Sequence, residues 1–542
     1  MPNRQFQHQT SRESDRRLGS LPLPGGKSNA IAATAQAACA VAALLIAAPA
    51  CAADPAAITP VQGLVTLDYQ TVRVNGYPSI DLVGFHFLAP INDWLYLGVG
   101  GHAPLFKGEY GGLMAFDATV HAQRRLIGNV YGVLGASLGG GGGGKTVAQS
   151  KVISGSSGFT KAYAGLGYDF KSFAVGLQYS RLRFVNSALD GSQVGLQLLL
   201  PFSYLAGPYE NAGQQFAMAP GTTKPAGSAY ADRDVASFGL DNLFQIRPQG
   251  SVKQTVNLVD VQYSHFIGPN QYVLFGGSVG YHGIVAYNQA YAGLGYHHAF
   301  SERFGINAQL ALGSGGYAPE RIDTGPGLLI HPKVSAEYLL SDKLGIAVSG
   351  GYLYAPRGSS RNATLGASLV YHVSPVARSG AVGEPGPALA FTGHRFHLYE
   401  QTQYKVRVGA NQPGNIKMLS VQVDNTLGRH LYVPVQGSIA MNSYFGLPGY
   451  GELLAGIGVQ TPYAWGDRFQ AFAQMLVGTN VHGLIAKPMV GLNLGLSDSL
   501  ALYGQLGSTV SLDALGVYPK EKQFRSYAAG LGLTYRFSLP DR

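Results

Sequence analysis

The chain has 542 residues, with 38 Lys or Arg against 29 Asp or Glu and a formal net charge of +9. Charged residues make up 12%, about half the usual share of a soluble protein. The positive excess is spread thinly, without a basic cluster or interleaved aromatics, which argues against a nucleic-acid partner. Past the N-terminal region no run of 18 apolar residues offers a transmembrane helix.

The first predicted element is a leader. Residues 1–28 are polar and basic, with Arg4, Arg12, Arg16, Arg17 and Lys27, and an Ala-rich apolar run then leads to Ala50-Cys51-Ala52. A basic start, an apolar stretch and a small-residue site describe a secretory signal peptide over 1–52; a retained anchor is the other reading. Both cysteines, Cys39 and Cys51, fall inside it. The mature chain then has no disulfide, thiolate metal site or cysteine nucleophile.

From residue 53 onward the period is two. In "SQVGLQLLLPFSY" Val194, Leu196, Leu198, Leu200, Phe202 and Tyr204 share one face, with Gln193, Gly195, Gln197 and Ser203 opposite. "NATLGASLVYHVS" and "SYAAGLGLTYRFS" alternate in the same way. Soluble strands usually run five or six residues, whereas about ten alternating residues suit a tilted strand crossing a bilayer. In lipid every backbone N–H and C=O must be paired within the protein, so the sheet has to close. The predicted fold class is all-β: a transmembrane antiparallel β-barrel.

The chain also repeats itself. "IHPKVSAEYLLSDKLGIAVSG" matches "IAKPMVGLNLGLSDSLALYGQ", with Pro332 on Pro488 and Leu340-Ser341-Asp342 on Leu496-Ser497-Asp498. Short strands ending in Arg73, Arg247 and Arg407 precede three further matched segments. Duplication on this scale means repeated structural units: repeat 1 over 53–204, a linker over 205–240, repeat 2 over 241–374, a linker over 375–393, and repeat 3 over 394–542. Strands in the first unit start near 64, 79, 94, 111, 130, 159, 172 and 192, so about 24 are expected in all. "APIND", "RRLIGN" and "DFKS" are tight connections that alternate with longer loops, the convention of short periplasmic turns and longer external loops. Two architectures fit: one large barrel with an aqueous lumen, or three tandem eight-stranded barrels filled by side chains. The linkers favour the second. The small neutral inward face tips the reading towards the first, because glycine cannot fill a narrow centre.

The closing "LTYRF", with aromatics at Tyr535 and Phe537, resembles the terminal targeting strand of bacterial outer-membrane β-barrel proteins, although "SLPDR" follows it. The resemblance is to the class alone. It implies the outer membrane of a Gram-negative (diderm) bacterium, with membrane lipid and lipopolysaccharide as surroundings and the barrel-assembly machinery as partner during insertion. The oligomeric state stays open.

Several motifs invite chemistry. Gly139, Gly144, Lys145 and Thr146 satisfy the phosphate-loop pattern, which needs a following helix N-terminus. "VAQSKVISGSSGF" shows no helical apolar spacing, and the aligned places in the other units lack the lysine. No nucleotide is therefore expected; the glycines are read as a bend and a flexible external tip. Arg73, Arg247 and Arg407 are candidate lumen or rim charges, facing either anionic solutes or headgroups. Trp94, Tyr96, Tyr272 and Tyr432 occupy equivalent strand starts and read as an interfacial aromatic girdle, with carbohydrate stacking as the lesser alternative. His297 and His298 are adjacent in a strand, so they point to opposite faces and cannot share a metal. Ser180, or Ser278 with His282, could belong to a lipid-modifying enzyme. The reading is otherwise not enzymatic and assigns no catalytic residue, cofactor or metal. The expected function is an outer-membrane channel, porin-like or exporting a solute or polymer, with a mostly neutral, weakly positive lumen. The alternative is a structural or surface-interaction protein of filled barrels.

Overall fold

A computed structural model describes residues 59–144, 147–216, 234–318, 320–341, 343–372, 389–465, 468–512 and 523–541. The expected leader lies outside the described residues, as do 217–233 and 373–388 of the linker regions. Strands run from nine residues (Leu95–Ala103) to twenty (Leu389–Val408), apart from one two-residue strand, Gln215–Phe216. Strand Ala174–Phe184 shows the alternation unbroken: Gln178, Ser180, Leu182 and Phe184 are buried, while Val175, Leu177, Tyr179 and Arg181 are exposed. The short turns are closed by side chains that accept backbone N–H groups. Asn92 Oδ1 takes Trp94 and Leu95 (3.0 and 2.9 Å), and the Ser301, Ser341 and Ser497 hydroxyls take Phe304, Leu344 and Leu500 (3.0, 3.0 and 3.2 Å).

The 24 long strands form three closed antiparallel eight-stranded barrels, each a simple meander. The first runs from Thr59–Val74 to Asp190–Ala206, the second from Asp234–Gln245 to Arg361–His372, and the third from Leu389–Val408 to Phe524–Asp541. Closure is explicit in the register. Leu198 pairs with Leu67, on the strand that carries Arg73, and not with the strand preceding Arg247. Val235 pairs with His372, and Val408 with Phe524. The fold class and the threefold eight-strand repeat agree with the sequence; the preference for one large barrel does not.

The reason lies in how glycine is used. Inward tyrosines lie flat across glycines of the neighbouring strand. A Cβ on Gly295 would sit 2.0 Å from the Tyr272 ring, one on Gly458 2.0 Å from Tyr432, and one on Gly135 2.3 Å from Tyr163. The small inward residue is thus a seat for a large one, and eight strands leave an interior just wide enough for such filling.

Each barrel is layered. The long-loop end is sealed by an apolar cluster: Val72, Ile80, Tyr110, Phe159 and Phe184 in the first, Leu243, Val256, Leu258 and Tyr287 in the second, Val406, Met418, Tyr450 and Phe524 in the third. Polar side chains fill the middle. Each barrel also touches the other two. Phe85 packs on Phe275 (centroids 5.1 Å apart), the Thr479 hydroxyl donates to the Gly280 carbonyl (3.0 Å), and the Gly449 N–H donates to the Ser157 hydroxyl (3.0 Å). The strand Gln215–Phe216, reached after the first barrel, pairs with Leu389 and Ala390 of the third.

Candidate functional site

The interior of the first barrel is an ionic network. Lys161 donates to Asp68 at 2.8 Å and lies 3.2 Å from His102 Nε2, which leaves His102 Nδ1–H to donate to Asp117 (3.1 Å). His86 Nε2 and the Thr119 hydroxyl reach the same carboxylate at 3.0 and 2.7 Å. All these side chains are buried. His86, His102 and Asp117 lie close enough together to ligate an ion, but the Lys161 ammonium beside His102 opposes a second cation there. Sequence reasoning missed this cluster because strand register alone brings the three together; no spacing motif announces them.

The third barrel repeats the principle with other residues. Arg395 pairs with Asp424 at 2.7 Å and stacks over Tyr432 (4.5 Å to the centroid). His397 lies 2.8 Å from Asp424, and Gln422 and Gln474 exchange amide hydrogen bonds at 3.0 and 3.1 Å. Deeper towards the long loops, Lys487 pairs with Glu452 at 2.7 Å. The second barrel differs. A cavity of about 400 Å³ reaches from the short turns around Asn270, Ser301 and Arg303 inward to Asp241, Asp260 and Lys333. Its wall carries Ser237, Ser335, Ser349, Ser368, Gln262 and Gln309, with Glu337 hydrogen-bonded to His372 at 2.6 Å. Beyond its floor lies the apolar seal around Leu243 and Tyr287.

The outward faces are apolar from barrel to barrel: Leu134, Leu177, Leu294, Val348, Leu506 and Leu531 are all exposed, Leu531 at 69%. Inside each wall polar groups are buried, down to 0% for Lys487. Oil outside and charge inside invert the arrangement of a water-soluble barrel, and no wall has a free edge. The chain is a transmembrane triple barrel. Among the described residues no helix is long and apolar enough to cross a membrane.

No protein-family model and no curated protein matches the triple barrel. Among solved structures it is similar to the siderophore receptor PirA from Pseudomonas aeruginosa (10% identity, 88% of this chain and 80% of that one, TM-score 0.25). It is also similar to a bacterial polysaccharide outer membrane secretin (8%, 88% and 98%, TM-score 0.23) and to the KdgM porin (10%, 55% and 98%, TM-score 0.16). Scores this low say nothing of what the triple barrel does.

The residues singled out from the sequence are placed as follows. Arg73, Arg247 and Arg407 are all exposed at the long-loop end, Arg73 and Arg407 on the outer side of their barrels and Arg247 in the loop after Asp234–Gln245. None lines an interior: in the first and third barrels the alternating positions Val72 and Val74, and Val406 and Val408, take the inward face. Trp94 is exposed at a short turn. Tyr96, Tyr272 and Tyr432 point inward instead of joining a girdle. Tyr96 packs on the cluster of Leu64 and Tyr131, and the Tyr272 and Tyr432 hydroxyls donate to Gln309 and Gln474 (3.4 and 3.1 Å). Parity explains it, since Leu431 holds the outward place beside Tyr432. Ser180 bonds to Gln70, and Ser278 to Asp260 and Gln289, so neither is set against a histidine. His282 instead meets Asn257. His297 faces the second cavity and bonds to Asn307 (2.9 Å), while His298 is exposed against Phe300.

The glycine run is also corrected. A helix, Val147–Ser154, does follow it, unannounced because among its described side chains the two buried ones, Ile153 and Ser154, are adjacent and set no helical spacing. Ile153 joins the apolar seal of the first barrel. Lys145 and Thr146 lie outside the described residues. The glycines are packed against neighbours: a Cβ on Gly140 would sit 2.0 Å from the Ala440 carbonyl oxygen, and one on Gly142 2.5 Å from the Gly449 nitrogen. Gly140 and Gly142 are the close approach of the first barrel to the third, so this part of the run is packed and not a free tip.

Proposed function

We propose that the triple barrel is an outer-membrane protein of the channel and transporter kind in a Gram-negative bacterium, and that its solute route is the second barrel. The observation that carries this is the cavity of about 400 Å³, with serine, glutamine and charged side chains on its wall, open towards the short turns and closed at the long-loop end by Leu243, Val256, Leu258 and Tyr287. Short turns face the periplasm in such proteins, so the cup opens inward and the apolar seal is the gate. The leader pattern and the outward Tyr535 and Phe537 of the last strand support the compartment, with lipid and lipopolysaccharide around the wall and the assembly machinery acting at insertion. The first and third barrels, filled with paired charges, brace the second. No catalytic role is part of this reading.

The test is single-channel recording in planar bilayers. Wild-type protein should open rarely and conduct far below the scale of a wide pore. Leu243→Ser with Leu258→Ser should loosen the seal and raise the open probability severalfold. A folded double variant as silent as the wild type overturns the route. That outcome would favour the second reading, a structural or surface-interaction protein, which the filled interiors of the other two barrels support.

A further inference from the structure

The interior charges of the filled barrels come in matched sets: Asp68 with Lys161, Asp424 with Arg395, Glu452 with Lys487. In the second barrel Glu337 has His372, and Asp260 accepts from the Ser278 and Tyr291 hydroxyls at 2.5 and 2.8 Å. Two groups at the cavity floor break the pattern. Asp241 is 3% exposed, and its buried Oδ1 has no hydrogen-bond partner. Lys333 reaches the same cavity, and among the described residues it forms no ion pair or hydrogen bond. A buried carboxylate oxygen without a hydrogen-bond donor is costly, and water or a ligand must meet it. Their cross-strand partners carry no side chain: Asp241 lies opposite Gly366, and Lys333 opposite Gly351.

We propose that this floor binds a small zwitterion, its ammonium held by Asp241 and its carboxylate by Lys333, as a free α-amino acid presents them. The cavity volume suits a small molecule, and the hydroxyls of Ser237, Ser335, Ser349 and Ser368 line the rest of the path with neutral hydrogen-bonding groups. This names the solute class of the proposed route and rests on that reading for access from the short-turn side. Opposite charges set in one low-dielectric pocket select a ligand that carries both; a lone cation or anion leaves one of them unmet.

The experiment is calorimetric titration of the purified full chain in detergent micelles with L-glutamine, butylamine and propionate. Glutamine is expected to bind, with the other two at least roughly tenfold weaker, the loss of one charge-assisted contact. Asp241→Asn and Lys333→Met should each weaken glutamine by a similar factor. Lys333→Met breaks no direct hydrogen bond or ion pair and keeps the test open if Asp241→Asn fails to fold, which heat-dependent gel mobility reports. Absence of glutamine binding, butylamine binding as tightly, or indifference to both substitutions overturns the proposal. Binding needs no open gate, so a silent bilayer with intact glutamine binding removes the route alone, and conductance without binding removes the site alone.

Discussion

Replacing Lys487 by methionine tests what the buried charges do for the third barrel. Lys487 and Glu452 are both fully buried, 2.7 Å apart. At an effective dielectric of about 20 their attraction is ~6 kcal/mol, offset by a desolvation cost of several kcal/mol per ion, so the intact pair contributes little net. Breaking it is another matter. Lys487→Met leaves Glu452 buried without its cation, held by the Tyr450 hydroxyl (2.8 Å) and the Gln403 amide. We expect a loss of about 3 kcal/mol, the low end of the range for an orphaned partner because those two donors remain. Glu452→Gln leaves Lys487 with the Gln401 carbonyl (2.8 Å) and should cost a similar or larger amount, about 3–4 kcal/mol. The double variant has no charge to orphan and should lose only about 1 kcal/mol. The assay is urea unfolding from lipid vesicles in a Trp94→Phe background. Trp465, on a short-turn-side loop of the third barrel, is then the sole tryptophan of the chain. A double variant as weak as the sum of the two singles refutes the reasoning, because the cost would then lie in lost packing and not in an uncompensated charge.

Two further outcomes follow from the same geometry. Gly458→Ala places a Cβ 2.0 Å from the Tyr432 ring and should cost about 1–3 kcal/mol, whereas Gly437→Ala, with nothing within 4 Å, should be neutral within about 0.5 kcal/mol; equal thermal stabilities would remove the seating of rings on glycine. Tyr110, in the loop between Leu95–Ala103 and Met114–Ile127, is fully buried and donates to the Pro78 carbonyl. Burial, with Tyr77 and Glu109 adding to it, pushes its phenol up to about 12. Its stabilisation should therefore hold up to about pH 10 and fade as pH rises towards 12, a step that Tyr110→Phe abolishes in alkaline unfolding curves.

The walls were legible in the sequence and their contents were not. Leu531 and Leu533 alternate with Gly530 and Gly532 because lipid demands an oily residue at every second place, and that demand acts locally. Barrel number depends instead on which strand closes on which, and the deciding clue, a glycine beside a neighbour's tyrosine, depends on cross-strand register. Gly458 and Tyr432 are 26 positions apart and pair side by side only in the folded wall. The same holds for Lys161 and Asp68, separated by 93 positions. The inward places of Tyr272 and Tyr432 were missed for want of parity, since a one-residue slip exchanges the two faces of a strand. The glycine run resembled a nucleotide loop because close approach to any partner, phosphate or polypeptide, calls for the same missing Cβ.

The three walls belong to one polypeptide, and the pairing of Gln215–Phe216 with the third barrel's first strand stitches them further. In a homotrimer each substitution is made three times over, so a solvent-filled interior in one subunit means the same weakness in all. Joining the subunits end to end lifts that symmetry: two copies are free to become rigid ballast while the third keeps its hollow.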